Sequence, residues 1–305
     1  NQMYTSGTTG LPKGVLLTHY SVVSNAFQTS IASGYTFRPG QEMLVVAPMY
    51  HAAGLMTCLV GMMQGMHLVI HRDYDPVKVV TTLSEQRISA VTLVPAMLQF
   101  ILSQVPGIND INFPDLELIY YGASPMSVDL LKRSMKVFEC DFCQGYGQTE
   151  NNSVLTILSP SDHHHALAHH PDLLNACGRA VLNTEVRIVD DEGRSVSVGE
   201  SGEIVAKGPQ VMKGYWNRPE ATSETLKDGW LHTGDVGRLD EQGYLYILDR
   251  VKDMIISGGE NIYPVELEKV LLSHPKVLDV AVIGISDEKW GEVPIALLVT
   301  KNQIL

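Results

Sequence analysis

The sequence predicts an α/β protein with doubly wound, mostly parallel sheets, then a small antiparallel β region and the start of a small α+β domain. Three observations support this. Up to about residue 180, short apolar runs alternate with segments of helical periodicity, as in parallel βαβ units with helices on both faces. Beyond that point, strand-like segments are joined by turns rich in Asp and Gly, as in antiparallel hairpins. The 305 residues, 45% of them hydrophobic, suffice for about two domains with cores of their own.

Thr18 to Ser33 reads as a helix with Thr18 as its N-cap. Val22, Val23, Ala26, Phe27, Ser30 and Ile31 fall on one face at helical spacing. Met43–Ala47 and His67–Ile70 read as short buried strands. Pro76–Gln86 is a helix with proline in its first turn. Ala90–Val94 is a strand, Met97–Ser103 a short helix, Leu116–Tyr121 a strand and Ser127–Phe138 a helix. Glu185–Val189 and Glu203–Ala206 read as antiparallel strands, the first running into the turn Asp190-Asp191-Glu192-Gly193. Leu239–Tyr244 holds the turn between two more. From about residue 253 a short strand, a helix at Pro264–Leu272 and strands at Val277–Ile283 and Ile295–Val299 open the α+β part.

Lys and Arg number 22 against 34 Asp and Glu, a formal charge of −12. That balance argues against a partner that is nucleic acid or an anionic membrane. A charged fraction of 18% with normal apolar content excludes wholesale disorder. Four cysteines make no disulfide scaffold and suit a reducing, cytoplasmic setting. The N-terminal residues do not have the form of a signal peptide. No charge occurs from Met43 to His71. However, Pro48, His51, Gln64, His67 and glycines 54, 61 and 65 interrupt the run, and no Lys/Arg cluster flanks it. A buried strand–helix–strand is expected there, not a membrane span.

Tyr4–Gly14 contains three glycines, four Ser or Thr hydroxyls and Lys13 in eleven residues. Glycine permits the turns that point backbone N–H groups at anionic oxygens, and the hydroxyls and ammonium add donors. It is not a Walker A loop, because Lys13 is followed by Gly14 and not by Ser or Thr. Other motif residues have plainer readings when taken alone. Glu150 could be a solvated carboxylate at a helix start, Asp235 a turn residue, Arg250 an ion-pair partner of Asp249 or Asp253, and His51 a packed core residue. Cys140-Asp141-Phe142-Cys143 with His163 and His169 suggests zinc, but 19 residues separate Cys143 from His163 where about 12–15 is usual. The tract His163–His170 reads as a surface loop.

In order along the chain, five segments resemble the adenylate-forming superfamily of AMP-binding enzymes, which includes acyl-CoA synthetases, peptide-synthetase adenylation domains and beetle luciferases. Tyr4–Gly14 resembles its phosphate loop and Tyr120–Pro125 its adenine-pocket loop. Gln144–Glu150 resembles the second core motif, Leu231–Asp235 the ribose motif, and Asp249–Pro264 the hinge and the loop beyond. The resemblance implies an adenylating domain fold and an AMP-forming ligase with small-molecule partners: a carboxylic acid, ATP and coenzyme A, with magnesium as cofactor. It implies that Thr5, Ser6, Gly7, Thr8, Thr9, Gly10 and Lys13 serve the phosphates. Gly122, Ala123, Ser124, Gln144, Gly145 and Tyr146 would line the nucleotide site. Thr149 would bond the α-phosphate and Glu150 the magnesium. Asp235 would take the ribose hydroxyls, Arg250 the ribose or phosphate, and His51 the mouth of the acyl pocket. Lys252 would be the hinge, with Gly258, Gly259 and Glu260 along the pantetheine tunnel.

Amino-acid adenylation domains carry an Asp near the position of His51 to pair with an ammonium. Here Ala52, Ala53 and Gly54 follow, with no acid from Met43 to His71, so a neutral tail is expected. Ligases for plant phenolic acids carry lysines where Ile256 and Gly258 stand. A fatty acid of medium or long chain is therefore the expected substrate, ahead of an aryl or other carboxylic acid. The other reading is a non-catalytic module that binds nucleotide or acyl-CoA. Peripheral membrane contact is compatible with such substrates, and nothing in the sequence sets an oligomeric state. The resemblance also implies a ligase of about 500–550 residues with this chain in its middle and the family's C-terminal lysine beyond Leu305. Residues 1–248 would be part of the large domain, 249–252 the hinge and 253–305 part of the small domain.

Overall fold

Hydroxyl and carboxylate caps set the helix starts. Thr18 accepts the Ser21 N–H, Asp75 that of Lys78 and Ser127 that of Leu130, each satisfying a donor that a helix N-terminus leaves without an intrahelical partner. Pro76 and Pro95 occupy first helical positions, where no N–H is needed. The computed structural model describes all residues except 6–11, 258–259, 273, 275, 288–289 and 301–305, and the side chain of residue 260. Expectations for Ser6, Gly7, Thr8, Thr9, Gly10, Gly258, Gly259 and the Glu260 side chain thus lie outside the described residues.

In chain order the elements are β1 (Gln2–Thr5), β2 (Lys13–Leu16), α1 (His19–Ala32), β3 (Glu42–Val45), α2 (Ala52–Met63), β4 (His67–Ile70), α3 (Pro76–Glu85) and β5 (Ile88–Thr92). Next come α4 (Pro95–Gln104), β6 (Leu118–Gly122), α5 (Val128–Phe138), β7 (Asp141–Tyr146), β8 (Thr156–Leu158), α6 (Pro160–His169) and β9 (Arg179–Ala180). They are followed by β10 (Glu185–Val189), β11 (Gly202–Lys207), β12 (Gly214–Tyr215), α7 (Pro219–Thr225), β13 (Leu226–Lys227), β14 (Trp230–Leu239) and β15 (Leu245–Arg250). The last are β16 (Ile255–Ser257), β17 (Glu260–Ile262), α8 (Pro264–Leu272), β18 (Val277–Asp287) and β19 (Gly291–Thr300). These elements divide between two units. The first holds Asn1–Val186, Ala206–His232 and Gly243–Leu245; the second holds Arg187–Val205, Thr233–Gln242 and Tyr246–Leu305.

The first unit is built on a sheet of order β4-β3-β5-β6-β7-β8-β9. Pairing is parallel from β4 through β7 and antiparallel from β7 through β9. Met43, Ala90, Leu118 and Cys143 pack with Ala26 of α1 and with Met56 and Val60 of α2. The alternate residues Leu44, Val91, Ile119 and Phe142 are also buried. Both faces are thus covered, as the doubly wound expectation requires. β1, β2 and β12 form a smaller antiparallel sheet. In the second unit β10, β11 and β14 follow in that order, with β15 on β14, and a further sheet has the order β17-β16-β19-β18. Among the described residues no helix is long and apolar enough to cross a membrane. The uncharged stretch after residue 42 is instead β3, α2 and β4.

One expectation is corrected, and α1 adds a finding: of the residues that share its apolar face, Val22 and Ala26 are buried but Val23, Phe27 and Ile31 are exposed, whereas the polar Ser21, Asn25, Gln28 and Thr29 are buried. Main-chain groups decide the helix's rotation. The Asn25 amide donates to Val154 O and accepts from Val154 N, and Gln28 donates to Leu182 O. The helix satisfies irregular backbone that would otherwise be buried without partners. The tract expected as a surface loop, His163–His170, belongs mostly to α6, and His163 is fully buried. Among the described residues no cluster of His, Cys, Asp and Glu could hold a metal ion.

Candidate active site

In the first unit, β1 and β2 pair as an antiparallel hairpin, with Thr5 opposite Lys13. Lys13 Nζ lies 4.7 Å from the centroid of the Tyr215 ring, a cation–π contact. Tyr215 sits in β12, which pairs with β2. Its hydroxyl donates to Glu150 Oε1 at 2.7 Å. Burial, and then the Glu150 carboxylate, push the Tyr215 phenol above its ordinary pKa, so it stays a donor. Glu150 is itself buried, and its carbonyl accepts the Met212 N–H at 2.7 Å. Lys13, Glu150 and Tyr215 are thus brought together from segments far apart in sequence. The phenol engages one carboxylate oxygen and leaves acceptor capacity of the kind a hard cation takes.

Glu150 lies in a single helical turn, Thr149–Asn151, after β7. Asn151 Oδ1 accepts the Gln148 N–H at 2.7 Å, and Asn152 Nδ2 donates to Gln210 O at 2.7 Å. A Cβ added at Gly147 would collide with Ser153 O, so only glycine lets the strand turn this tightly into Thr149. On the adjacent strand, Gly122 stands opposite Gly145. A Cβ on Gly122 would strike the Gly145 carbonyl oxygen. Ala123 then adopts φ +67°, which an L-residue holds only when its surroundings fix it. Gly122, Ala123 and Ser124 therefore emerge beside Gln144, Gly145 and Tyr146 at the C-terminal edge of parallel strands, where ligands of open α/β sheets bind.

His51 is exposed and is not a core residue. It caps α2, its Nδ1 accepting the Ala53 N–H at 3.3 Å. Its described hydrogen bonds stay within this turn and reach neither Lys13 nor Glu150. A Cβ at Gly54 would run into Pro48 O, which excludes larger residues where α2 meets that segment.

In the second unit, the Thr233 hydroxyl donates to Ile204 O and accepts the Asp235 N–H, while Gly234 N donates to Glu203 Oε1. Arg250 Nε lies 3.5 Å from Asp235 Oδ1. The partner of the Arg250 guanidinium is therefore Asp235, not the Asp249 or Asp253 that its neighbourhood in sequence suggested. Asp249 is buried and accepts the Arg250 N–H on Oδ1 and the Val265 N–H on Oδ2. It thereby caps α8 from outside the helix. Lys252 lies in the turn after β15, 4.0 Å from Asp253, with both side chains about half exposed.

Tyr215 and Asn151 were not legible from the sequence as neighbours of the candidate site. Tyr215 is 65 residues from Glu150, and its only local signal is a Gly-Tyr pair shortly before the Pro219-Glu220 helix start.

A family model described as AMP-binding enzyme matches residues 1–216, and one described as AMP-binding enzyme C-terminal domain matches residues 266–304. The chain belongs to the AMP-binding enzyme family. Among curated family members, a feruloyl-CoA synthase of an Amycolatopsis species is 41% identical over 97% of this chain and 58% of its own length. A medium/long-chain-fatty-acid–CoA ligase of Mycobacterium tuberculosis is 42% identical over 98% of this chain and 51% of its own length. Among solved structures, the o-succinylbenzoate CoA synthetase of Bacillus subtilis in complex with its acyl-adenylate intermediate superposes with TM-score 0.87 at 37% identity, covering 100% of this chain and 60% of that chain. The same synthetase with ATP and magnesium ion gives TM-score 0.86 at 36% identity, with the same coverage. This AMP-binding enzyme chain thus spans between about half and three fifths of the length of these relatives.

Proposed function

We propose that the chain is the nucleotide-handling part of an AMP-forming acid–thiol ligase that joins a fatty acid of medium or long chain to coenzyme A. The observation that carries this is the Lys13–Tyr215–Glu150 cluster beside the hairpin. A cation and a buried carboxylate gathered on one ring support a site for a polyphosphate and a divalent ion. In the first half-reaction a carboxylate oxygen attacks the α-phosphorus, and the bond to pyrophosphate breaks with its electron pair leaving on that group. The coenzyme A thiol then attacks the acyl carbon of the adenylate, and AMP departs.

Lys13 supplies positive charge to the phosphates, and Thr149 donates to the α-phosphate. Glu150 has the hard oxygen donors that magnesium prefers; when bound, that ion neutralises phosphate charge. Tyr215 holds the carboxylate in one orientation. Asp235 accepts from the ribose hydroxyls, Arg250 reaches ribose or phosphate, and His51 stands at the acyl entrance. The same reading assigns residues 1–248 to the large domain, 249–252 to the hinge pivoting at Lys252, and 253–305 to part of the small domain. Gly258, Gly259 and Glu260 then flank the pantetheine.

The deciding experiment is acid-dependent pyrophosphate release from ATP by the natural full-length polypeptide. Fatty acids are compared with ferulate and o-succinylbenzoate. The highest kcat/KM is expected for fatty acids. Preference for an aromatic acid transfers the reading to an aryl-acid ligase, which the 41% identity to the feruloyl-CoA synthase favours. ATP binding with no pyrophosphate release identifies a non-catalytic binding module.

A further inference from the structure

His163, set aside above as a zinc ligand, is fully buried with both ring nitrogens engaged. Nδ1 lies 2.8 Å from the carbonyl oxygen of Ser159. A carbonyl only accepts, so Nδ1 carries the proton. Nε2 is then an acceptor, and it lies 2.9 Å from the hydroxyl of Tyr121, which donates. The two rings meet edge to face at 5.7 Å. Burial lowers the His163 pKa and raises that of Tyr121 well above its ordinary value. A histidine serving only as filler could be replaced by leucine of similar volume, with no polar group to satisfy. His163 instead completes a connected polar pair.

Tyr121 immediately precedes Gly122 and stands opposite Gln144 in the sheet. Its hydroxyl also lies 3.4 Å from Gln144 Oε1. The helix that carries His163 is anchored in turn, because Asp162 accepts from the hydroxyls of Ser159 and Tyr244 at 2.6 and 2.7 Å. The strand end before the strained Ala123 is therefore held by a side chain from α6. Strain of this kind persists only where the flanks are fixed.

We propose that His163 is a positioning residue for the nucleotide site: as a neutral acceptor for Tyr121, it keeps the Gly122–Ser124 loop in the shape that takes the adenine. This rests on the ligase reading above. Loss of the acceptor weakens ATP binding and leaves the chemical step intact, because the described hydrogen bonds of the His163 ring go to Ser159 and Tyr121 and not to Lys13, Thr149 or Glu150.

The test uses the natural full-length polypeptide, with ATP affinity by calorimetry and kcat by pyrophosphate release. His163→Leu and Tyr121→Phe are each expected to raise the ATP Kd about tenfold with kcat within about twofold. The double variant is expected to lose much less than the sum of the single changes, since both remove the His163–Tyr121 hydrogen bond. His163→Gln restores an acceptor and is expected to rescue most of the affinity. Unchanged Kd in both single variants, additive losses, or no rescue by Gln overturns the proposal. If the Leu variant fails to fold, Tyr121→Phe decides, because it removes one hydroxyl and keeps the ring. Absence of ATP binding in the unaltered protein overturns the ligase reading and this inference together. Normal binding there, with no change in the variants, overturns this inference alone.

Discussion

The phenol of Tyr215 donates a 2.7 Å hydrogen bond to Oε1 of Glu150, and the ammonium of Lys13 stands over the same ring at 4.7 Å. One aromatic side chain therefore touches both charges of the candidate phosphate site. Removing its hydroxyl leaves a buried carboxylate short of a charge-assisted hydrogen bond, a loss of about 1.5–3 kcal/mol. Tyr215→Phe is expected to lower the urea midpoint accordingly and to raise the magnesium concentration needed for half-maximal pyrophosphate release. An unaltered magnesium requirement would show that the phenol does not orient Glu150 for the ion.

Glu150→Gln keeps an acceptor for Tyr215 and removes the charge. Stability is expected to change by less than about 1 kcal/mol, because a buried charge is exchanged for an amide of the same shape. Pyrophosphate release should fall roughly a hundredfold or more. Circular dichroism melting together with the rate assay checks both halves. A variant with full activity removes Glu150 from the site.

Arg250 is well exposed, so its pair with Asp235 contributes little to stability. Arg250→Ala is expected to shift the melting midpoint negligibly while raising the KM for ATP several-fold. A large loss of stability with unchanged KM would mark the pair as purely structural.

Acid should weaken the fold in two stages. Burial, and then the Lys78 charge for His71, hold His163 and His71 below the ordinary histidine pKa. Unfolding restores that value, so the unfolded chain takes up protons first, and stability is lost as pH falls below about 6.5. Burial pushes the Asp162 carboxyl up, but hydrogen bonds from Ser159 and Tyr244 and the Arg179 charge outweigh it. Its stabilising contribution is present above the ordinary carboxylate value and disappears only as pH falls below that. His163→Gln is expected to reduce the slope of unfolding free energy between about pH 6.5 and 5 by up to about 1.4 kcal/mol per unit, measured by urea titration. An unchanged slope would mean that His163 takes up no proton on unfolding.

Helix α1 predicts an inverted mutational pattern. Phe27→Ser on its exposed face should alter stability by no more than about 0.5 kcal/mol. Asn25→Ala, which strands both Val154 main-chain groups, should cost about 1–3 kcal/mol. The reverse order, read from urea midpoints, would contradict the orientation described.

The alternation of apolar runs and helical segments made the parallel sheet legible, since a strand buried on both faces has to be a short continuous apolar run. Most boundaries fell within two residues because caps such as Thr18 and Ser127 are local chemistry. The orientation of α1 was not legible, because Asn25 answers to Val154, 129 residues away. The same holds for α6, whose histidines look like a polar tract until Tyr121 supplies a partner across 42 residues. Motif residues such as Lys13 and Glu150 could be named from their neighbours in sequence, but Tyr215, which links them, depends on tertiary contact alone.

Where Gly122 meets Gly145, no side chain stands between the two strand ends. The width of that gap is set by main-chain covalent geometry and by the sheet's hydrogen bonds, not by the choice of a rotamer. A surface of this kind has no side-chain freedom left to surrender when something settles on it. The ordering penalty that most binding sites incur at the moment of association was here already met when the sheet folded.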